Sequence, residues 1–378
     1  MLHKIDKNLL NKCFKLNTCS NPVYVTAYLK TKEDLTKLKD CFKLEVVEYF
    51  DFINAAILKI CLSNLSQLSM CDDITYISTL PKVTSLINRS KNFMNLDFFY
   101  NKAIFGNDIT VAVIDTGINP ILDFCIPTNR ILKFVDFINE KEKPYDDNGH
   151  GTFVSSVLLG NGALSKGKYS GVAPKSKIVS LKALDKNGES TALQILRAMQ
   201  WIFNNYEKYK IKVVCMSFGS EPLEKNDPLV LGVEQLWKKG ITVVAAAGNS
   251  GPEFSSIKSP AISSKVITVG GLNDGRIGKI EPAEFSSRGP AGNIFKPDIL
   301  APAVEIVAAS KNITNGKGYT IMSGTSVAAP MIAGVCALLY ESFPNISPEQ
   351  IKKFICSNAI KLCGSKNIEG YGMFRVDL

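Results

Sequence analysis

The sequence predicts an α/β protein whose main domain is built on a doubly wound, mostly parallel sheet, preceded by a small α+β domain. Two patterns predict this. From residue 109 onward, strands that are apolar on both faces alternate with helices, as in parallel sheets covered on both sides. Residues 23 to 77 have a different order of shorter elements. The chain has 378 residues, of which 46% are hydrophobic and 21% charged, which is typical of a globular protein.

The small domain is predicted from six short elements in a row. Periodicity predicts strands over residues 23–29, 45–52, 55–61 and 74–77 and helices over 31–42 and 64–70. Their order along the chain is β-α-β-β-α-β. This order is the ferredoxin-like arrangement. We therefore expect an N-terminal tail over 1–20, a ferredoxin-like domain over 21–80, a linker without clear periodicity over 81–98, and a large domain over 99–378.

The large domain is predicted from its buried strands and the helices between them. The strands are expected at 109–114, 177–184, 213–218, 242–247 and 266–270, and the helices at 191–204, 229–238 and 326–341. In such sheets, functional sites lie at the carboxyl ends of the strands. Polar residues that follow these strands are therefore the first candidates for chemistry.

Charge and cysteine content exclude several functions. The chain has 44 Lys and Arg against 35 Asp and Glu, a net charge of +9 that is spread along the sequence without a basic run, so no nucleic-acid partner is expected. It has no apolar stretch typical of a membrane span and no secretory signal, so we expect no membrane partner and a cytoplasmic location. The ten cysteines form no Cys-x-x-Cys pair and are expected to be reduced thiols.

Three segments together supply the groups of a nucleophilic hydrolase. Asp115 ends an apolar strand, His150 begins an apolar helix, and Ser326 begins a long helix rich in small residues. Alone, each has an ordinary structural explanation, as a turn, a packed ring and a helix cap. Together they are a nucleophile, a base and a carboxylate that orients the base. Apart from His3 in the tail, His150 is the only histidine, so an imidazole that activates Ser326 must be His150.

A fourth segment places an amide after another strand. In Val243-Val-Ala-Ala-Ala-Gly-Asn249-Ser-Gly, the asparagine either forms a turn with its neighbouring glycines or donates its side-chain N–H to an oxyanion. In the second interpretation it would act beside the backbone N–H of Ser326 at a helix N-terminus, where the helix dipole also favours negative charge.

With these motifs, the chain resembles the subtilisin-like serine peptidases, or subtilases. The motifs Val-Ile-Asp115-Thr-Gly, Gly-His150-Gly-Thr, Ala-Ala-Gly-Asn249-Ser-Gly and Ser-Gly-Thr-Ser326-Val-Ala-Ala-Pro occur in the order of that family. The similarity covers residues 98 to the C-terminus and is strongest to the intracellular bacterial branch. It implies a subtilisin-like fold and a serine endopeptidase, in which Asp115 orients His150, His150 deprotonates Ser326 and Asn249 completes the oxyanion hole.

The resemblance also implies how a substrate is held. Two edge segments would pair with the main chain of a polypeptide substrate, as in β-augmentation, and consist of Ser217, Phe218, Gly219, Ala246, Ala247 and Gly248. No cofactor is required for the chemistry. Family members often bind a structural calcium ion, for which Asp123 and Asn161 could supply oxygens, but the sequence does not define such a site.

Lys258 is a departure from the family pattern. It lies where many relatives have a glycine on the floor of the pocket for the residue before the scissile bond. The lysine either narrows the pocket and accepts an acidic substrate side chain, or turns its ammonium into solvent and changes little. The second alternative is favoured because the charged ends of lysines readily reach water.

The N-terminal domain has two alternative functions. In the subtilases a ferredoxin-like propeptide assists folding, is cut from the catalytic domain and inhibits it, which implies a self-processing zymogen with cleavage within residues 80–92. Alternatively, it is an unrelated docking domain. The whole chain has a corresponding alternative: a catalytically silent relative that keeps its N-terminal domain and acts as a binding or regulatory protein.

Overall fold

A computed structural model describes residues 4–6, 9, 22–42, 44–79, 86–223, 226–275, 278–314, 317–362 and 364–376. The chain divides into two compact units, Met1–Val83 and Thr84–Leu378. The first is the smaller and has an antiparallel sheet, and the second has the large α/β sheet. We describe each unit by itself.

The N-terminal unit has the predicted β-α-β-β-α-β order. Its elements are β1 (Val23–Leu29), α1 (Glu33–Phe42), β2 (Glu45–Phe50), β3 (Ala55–Ile60), α2 (Leu65–Met70) and β4 (Ile74–Thr79). The strands form an antiparallel sheet in the order β2-β3-β1-β4, in which Val25 of β1 lies opposite Leu58 of β3 and Thr79 of β4. This is the ferredoxin-like strand order. The predicted small α+β domain is therefore confirmed.

The segment predicted as a tail takes part in this unit. Ile5 forms a parallel bridge with Ile77 on the free edge of β4, and Lys4 donates a hydrogen bond to the carbonyl of Cys71. Ile5 and Leu9 are buried in the same hydrophobic cluster as Leu58. Their burial provides the driving force that a short polar segment lacks when it is considered alone. The small unit thus includes residues of the expected tail.

The second unit contains the remaining elements. They are α3 (Leu86–Phe93), α4 (Asp97–Tyr100), β5 (Thr110–Asp115), α5 (Leu122–Cys125), β6 (Ile131–Asp136), α6 (His150–Leu159), β7 (Lys177–Lys182), α7 (Ala192–Asn205), β8 (Ile211–Met216), α8 (Pro228–Lys238), β9 (Thr242–Ala246), β10 (Ile267–Asp274), β11 (Ile280–Pro282), β12 (Ile299–Pro302), β13 (Ile306–Thr314), β14 (Lys317–Met322), α9 (Thr325–Ser342), α10 (Pro348–Ser357), β15 (Ala359–Ile360), α11 (Lys366–Glu369) and β16 (Met373–Phe374).

The main sheet is mostly parallel and reverses its direction of winding at β5. The strand order is β15-β16-β12-β10-β9-β8-β5-β7-β6, with β11 added antiparallel to β10 and β15 antiparallel to β16. From β5 the chain first builds β6 and β7 on one side and then β8 and β9 on the other. The carboxyl end of β5 is thus the point where the two halves of the sheet diverge, and ligands bind at such points in open α/β sheets. Asp115 is the last residue of β5.

The predicted linker contains two helices. Residues 81–98 were expected to lack regular structure, but α3 and α4 occupy part of this range. Met94, Leu96 and Phe99 are almost completely buried in the core of the second unit. The burial of these three side chains stabilises the helices, although the sequence of the segment shows no clear helical periodicity. Helices in proteins gain most of their stability from such tertiary packing.

Helix α9 is the central helix of the second unit. Nearly all its residues are buried, and it packs against α6 and the strands β8, β9, β10 and β12. Among the described residues it is the one helix long and apolar enough to cross a membrane, but 83% of that stretch is buried within the fold. It is therefore the core helix of this domain. The Ser326 motif lies at its first turn.

The hairpin of β13 and β14 is outside the elements predicted from sequence. It packs on α6, where the backbone N–H of Ala309 donates to the hydroxyl of Ser156 at 3.0 Å.

Six cysteines with described side chains are free thiols, including Cys215 and Cys336, which are fully buried in the core. Burial raises the pKa of the Cys215 thiol to about 12, so this thiol stays protonated and structural.

Candidate active site

Asp115 holds its carboxylate at the carboxyl end of β5. The residue is 1% exposed, and its Oδ1 accepts hydrogen bonds from the backbone N–H of Thr116 at 2.7 Å and from Nδ1 of His150 at 2.8 Å. The other oxygen, Oδ2, is buried without a hydrogen-bond partner among the described residues. A buried carboxylate with so few donors depends on its imidazole partner for compensation of its charge.

His150 is the first residue of α6. Because Nδ1–H donates to Asp115, the acceptor nitrogen of the neutral ring is Nε2. Burial opposes protonation of the ring, but the charge of Asp115, its hydrogen bond and the nearby charge of Asp146 together raise the pKa of His150 above its usual 6.5. The side chain is 26% exposed, so the ring is open to an incoming group.

Asp146 fixes the start of α6. It is 4% exposed, and its carboxylate accepts hydrogen bonds from the backbone N–H of Gly149 at 2.7 Å and of Thr152 at 2.8 Å. It also accepts from the hydroxyls of Thr116 and Thr152. It thus satisfies free donors at the first turn, as a capping residue does. The hydroxyl of Thr116 in turn accepts from the N–H of Gly151, next to the histidine.

A buried lysine supports the same turn. Lys182, at the end of β7, is completely buried, and its ammonium donates to the carboxylate of Asp147 at 2.7 Å and to the carbonyl of Thr116 at 2.6 Å. The ammonium therefore joins the residue after Asp115 to the loop that leads into His150. Lys182 thus stabilises both the backbone next to Asp115 and the loop before His150, the two residues of the hydrogen-bonded pair.

Ser326 and Asn249 are brought together at the start of α9. The Asn249 carboxamide oxygen accepts from the backbone N–H of Thr325 at 2.9 Å and from its hydroxyl at 3.0 Å. The hydroxyl of Thr325 also accepts from the backbone N–H of Gly248 at 3.2 Å. Because the carboxamide oxygen is fully engaged, the NH₂ group is the free end of Asn249, which is the orientation an oxyanion donor needs.

Gly324 provides the space between these two side chains. A side-chain carbon at residue 324 would lie 3.2 Å from the Ser326 hydroxyl and 3.3 Å from the Asn249 amide nitrogen. The residue also has a φ of 149°, which L-residues rarely adopt. A glycine is required here on both grounds, and its missing side chain leaves an open position facing both the nucleophile candidate and the amide donor.

The two edge segments predicted to bind substrate lie on either side of Lys258. Gly219 in one segment and Gly248 in the other both face its stem, since a side-chain carbon would lie 2.5 Å from Cβ of Lys258 in the first case and 2.6 Å from its Cγ in the second. Ser217 is buried, Phe218 half-buried, and Ala246 and Ala247 are buried. The stem of the lysine thus fills the slot between the segments.

The position of Lys258 differs from the expectation that its side chain turns into solvent. The side chain is 18% exposed, and the ammonium forms an ion pair with Glu221, which is 82% exposed. The stem stays in the slot because it covers the two glycines, while a surface carboxylate supplies a partner for the charge. Glu221 was not singled out in the sequence because it is 37 residues from Lys258.

The two residues considered for calcium have other partners. The Asp123 carboxylate accepts from the backbone N–H of Leu164 at 2.9 Å and from the hydroxyl of Tyr319 at 2.8 Å. The amide of Asn161 donates to the carbonyl of Ile126, and its oxygen accepts from Ala163. In the part of the chain that is described, no group of three or more His, Cys, Asp or Glu side chains could hold a metal ion. These residues do not fit a calcium ligand set, because N–H and O–H groups occupy the acceptor oxygens.

Other residues of the site were missed in the sequence. Asp146 lies four residues before His150, outside the Gly-His150-Gly-Thr motif, and its hydrogen bonds to the backbone N–H groups of Gly149 and Thr152 appear only in the folded chain. Thr325 and Gly324 were inside the quoted serine motif, but their tasks depend on contact with Asn249. No local sequence pattern marked Lys182, because its contacts with Thr116 and Asp147 form only in the folded chain.

This chain is similar to known proteins in family, in sequence and in fold. The family model described as Peptidase_S8, subtilase family, matches residues 106–372. Serine protease AprX of Bacillus subtilis (strain 168) is 36% identical over 350 residues, covering 86% of this chain and 76% of the relative. A thermostable alkaline protease of Halalkalibacterium halodurans is 29% identical over 339 residues, covering 89% and 86%.

Solved structures show the same similarity. A crystal structure of a cold-adapted subtilisin-like serine proteinase matches with a TM-score of 0.58 and 28% identity, covering 71% of this chain and 88% of that one. Sphericase matches with a TM-score of 0.62 and 27% identity, covering 73% and 97%. The four motifs of Asp115, His150, Asn249 and Ser326 lie within the range that the family model matches.

Proposed function

Because the chain belongs to the subtilase family and is a subtilisin-like serine endopeptidase, we propose that it hydrolyses peptide bonds through an acyl-enzyme on Ser326. The observation that carries this assignment of roles is the 2.8 Å hydrogen bond between Asp115 and Nδ1 of His150, which leaves Nε2 as the base. The adjacent helices α6 and α9 carry the base and the hydroxyl in their first turns.

The proposed reaction has two halves. His150 Nε2 takes the proton of the Ser326 hydroxyl as its oxygen attacks the substrate carbonyl, and the imidazolium is stabilised by Asp115. The oxyanion of the tetrahedral intermediate accepts from the Asn249 amide and from the N–H of Ser326. The imidazolium then gives its proton to the leaving amine. A water molecule, activated by the same ring, releases the acyl group from Ser326.

The proposed substrates are unfolded or flexible polypeptides. Segment 217–219 follows β8 and segment 246–248 begins at the last residue of β9, and we propose that both pair with the substrate main chain. Such pairing needs an extended stretch of substrate, which a folded protein offers only in its loops and termini.

The assignment is tested by cleavage of an unfolded protein substrate. We expect the wild type to release peptides and Ser326→Ala to lose this activity while keeping its circular-dichroism spectrum. Equal activity in the two proteins would contradict the role of Ser326. Lack of cleavage by the wild type would favour the catalytically silent alternative.

We further propose that the chain is a self-processing zymogen whose N-terminal unit is an intramolecular inhibitor. This proposal is supported by the separate hydrophobic core of that unit and its ferredoxin-like strand order. Lys91 donates a hydrogen bond to the hydroxyl of Ser170 in the second unit at 2.8 Å. Within the expected range of 80–92, a cut on the amino-terminal side of Lys91 would leave this contact intact.

Mass spectrometry of the purified chain tests the self-processing. The wild type is expected as two fragments divided within residues 80–92, and Ser326→Ala as one intact chain. An intact wild-type chain that nevertheless cleaves an unfolded substrate would refute self-processing without affecting the endopeptidase assignment. Identical fragments from both proteins would show that another protease makes the cut.

A further inference from the structure

We propose that Lys258 and Glu221 form a charge-controlled specificity site that selects an acidic side chain on the substrate residue before the scissile bond. In the absence of substrate, the Glu221 carboxylate forms an ion pair with the Lys258 ammonium, and a substrate carboxylate displaces it. This inference rests on the proposed function, since it specifies the substrate class of the same cleft. It assigns a task to Glu221, a residue outside the triad and the oxyanion hole.

The slot beside Lys258 lies next to the reacting carbonyl. Gly248, one wall of the slot, directly precedes Asn249, whose amide is proposed to bind the carbonyl oxygen. The side chain that enters a slot next to this amide belongs to the residue that carries the carbonyl. The slot is therefore where the residue before the scissile bond is recognised.

The backbone of Lys258 is fixed to both walls. Its N–H donates to the carbonyl of Ala247 at 3.0 Å. The next residue, Ser259, exchanges two backbone hydrogen bonds of 2.9 Å with Ser220, which follows Gly219. With its main chain tied to each segment, the lysine directs its stem between Gly219 and Gly248, and the closest approaches are to its Cβ and Cγ. The stem is thus a built part of the slot and not a mobile surface group.

The filled slot disfavours large apolar substrate side chains. Space between the two glycines is occupied by the methylene groups of the lysine, and close-packed regions resist added volume. An apolar group beside the ammonium would also desolvate the ion pair with Glu221 without supplying a new partner. A carboxylate of a substrate Glu or Asp instead forms a charge-assisted hydrogen bond with the ammonium.

Glu221 has the properties of a displaceable partner. It is 82% exposed, so it can return to water when it leaves the ammonium, whereas Lys258 is only 18% exposed and remains in the slot. An exposed carboxylate gains little from such a pair. A substrate carboxylate is held beside the ammonium by the pairing of the substrate main chain, which gives it a high effective concentration. It therefore competes effectively with Glu221.

The test compares two fluorogenic peptides that differ only in Glu or Phe before the scissile bond. Rates are normalised to active sites titrated with a fluorophosphonate. We expect the wild-type kcat/KM to be about tenfold higher for Glu than for Phe, within the range typical of pocket discrimination. Lys258→Met keeps the length of the stem but removes the charge, and should reverse the preference. Glu221→Gln removes the competitor and should raise the ratio of Glu to Phe cleavage about two- to fivefold.

Glu207→Gln is the matched control for Glu221→Gln. Glu207 is an exposed carboxylate that precedes β8, at the amino end of the strand, whereas the cleft lies at its carboxyl end. Its loss should not change the ratio of Glu to Phe cleavage. A wild type that cleaves the Phe peptide faster, or a ratio unchanged in both Lys258→Met and Glu221→Gln, overturns the inference but leaves the endopeptidase assignment in place. Failure of the wild type to cleave either peptide, or an unfolded protein, overturns both.

Discussion

The two ring nitrogens of His150 have different tasks, and their environments differ accordingly. Nδ1 is tied to a carboxylate that is 1% exposed, while the ring as a whole is 26% exposed. The buried carboxylate fixes the tautomer and stabilises the protonated ring that forms during the reaction. The same interactions raise the pKa of His150 above 6.5, and this has a consequence for the pH dependence of activity.

We predict that kcat/KM falls as the pH is lowered through a value above 6.5. The base must be neutral, and the raised pKa means that the ring becomes protonated at a higher pH than a free histidine. Asp115→Asn removes the charge but leaves the burial that opposes protonation, so the acidic limb should move to lower pH and the rate should drop. A pH–rate profile of both proteins checks this. An acidic limb at the same pH in both would contradict the role of Asp115.

Asn249→Ala is predicted to lower kcat by about 10²–10³-fold, the range that loss of one oxyanion donor has given in a subtilisin. Because the effect is on the transition state, KM should change little. Steady-state kinetics with one peptide substrate measure it. The Asn249 oxygen also bonds Thr325, so Thr325→Val serves as a control for loss of this support. An Asn249→Ala loss that lies entirely in KM would contradict the oxyanion role.

Local sequence motifs were sufficient to propose the catalytic groups, but not the groups whose proposed role depends on their position in the fold. Asp115, His150, Asn249 and Ser326 were recognisable because each lies in a motif at the end of a strand or the start of a helix. The ion pair of Glu221 with Lys258 joins residues that are 37 apart in the chain, which local pattern does not encode.

Helix α6 begins in a cluster of hydrogen bonds around one carboxylate. Asp146 accepts from two backbone N–H groups of the helix start and from two threonine hydroxyls. Since His150 is the first residue of this helix, the carboxylate sets where the imidazole is presented.

Asp146→Ala is predicted to destabilise the second unit by about 2–4 kcal/mol, because several buried donors lose their acceptor. Denaturant unfolding of the Ser326→Ala background, which avoids self-digestion, measures the change in the free energy of unfolding. Asp108→Ala is the control: this aspartate pairs with Lys177 but is 89% exposed, so its loss should leave the free energy of unfolding essentially unchanged. Equal effects of the two substitutions would contradict the capping role.

Elements buried on both faces were the most predictable. The strand expected at 109–114 is Thr110–Asp115, and the helix expected at 326–341 is Thr325–Ser342. The hairpin of β13 and β14 was missed because Ser310-Lys-Asn-Ile-Thr at the end of β13 and Lys317-Gly at the start of β14 are mostly polar, which is typical of a loop. Its contact with α6 stabilises it, and such tertiary contacts are absent from local pattern.

Each unit has its own main hydrophobic core, and the two cores share no buried residue among those described. One core includes Val25, Leu58 and Ile77, and the other surrounds α9. Element order predicted the two units. The boundary between them was less predictable, because Ile5 and Leu9 at one end and Met94 and Leu96 at the other join their units through tertiary contacts that local pattern does not encode.

Two separate cores predict two unfolding transitions in the intact Ser326→Ala chain. Leu58→Ala, at a fully buried position, should lower the first unit's stability by about 2–5 kcal/mol and move only its transition. Val47→Ala in the same unit, where the side chain is 52% exposed, should move neither. Differential scanning calorimetry resolves these cases. A single transition that shifts as a whole with Leu58→Ala would contradict two independently stabilised cores.

The central claim is that Ser326 is a nucleophile activated by His150. Fluorophosphonate labelling followed by mapping of the modified peptide tests it most directly, because the reagent reacts with activated serines. We predict one label on Ser326 in the wild type and none in His150→Ala. A label on another serine, or equal labelling of Ser326 after His150 is removed, would contradict the account.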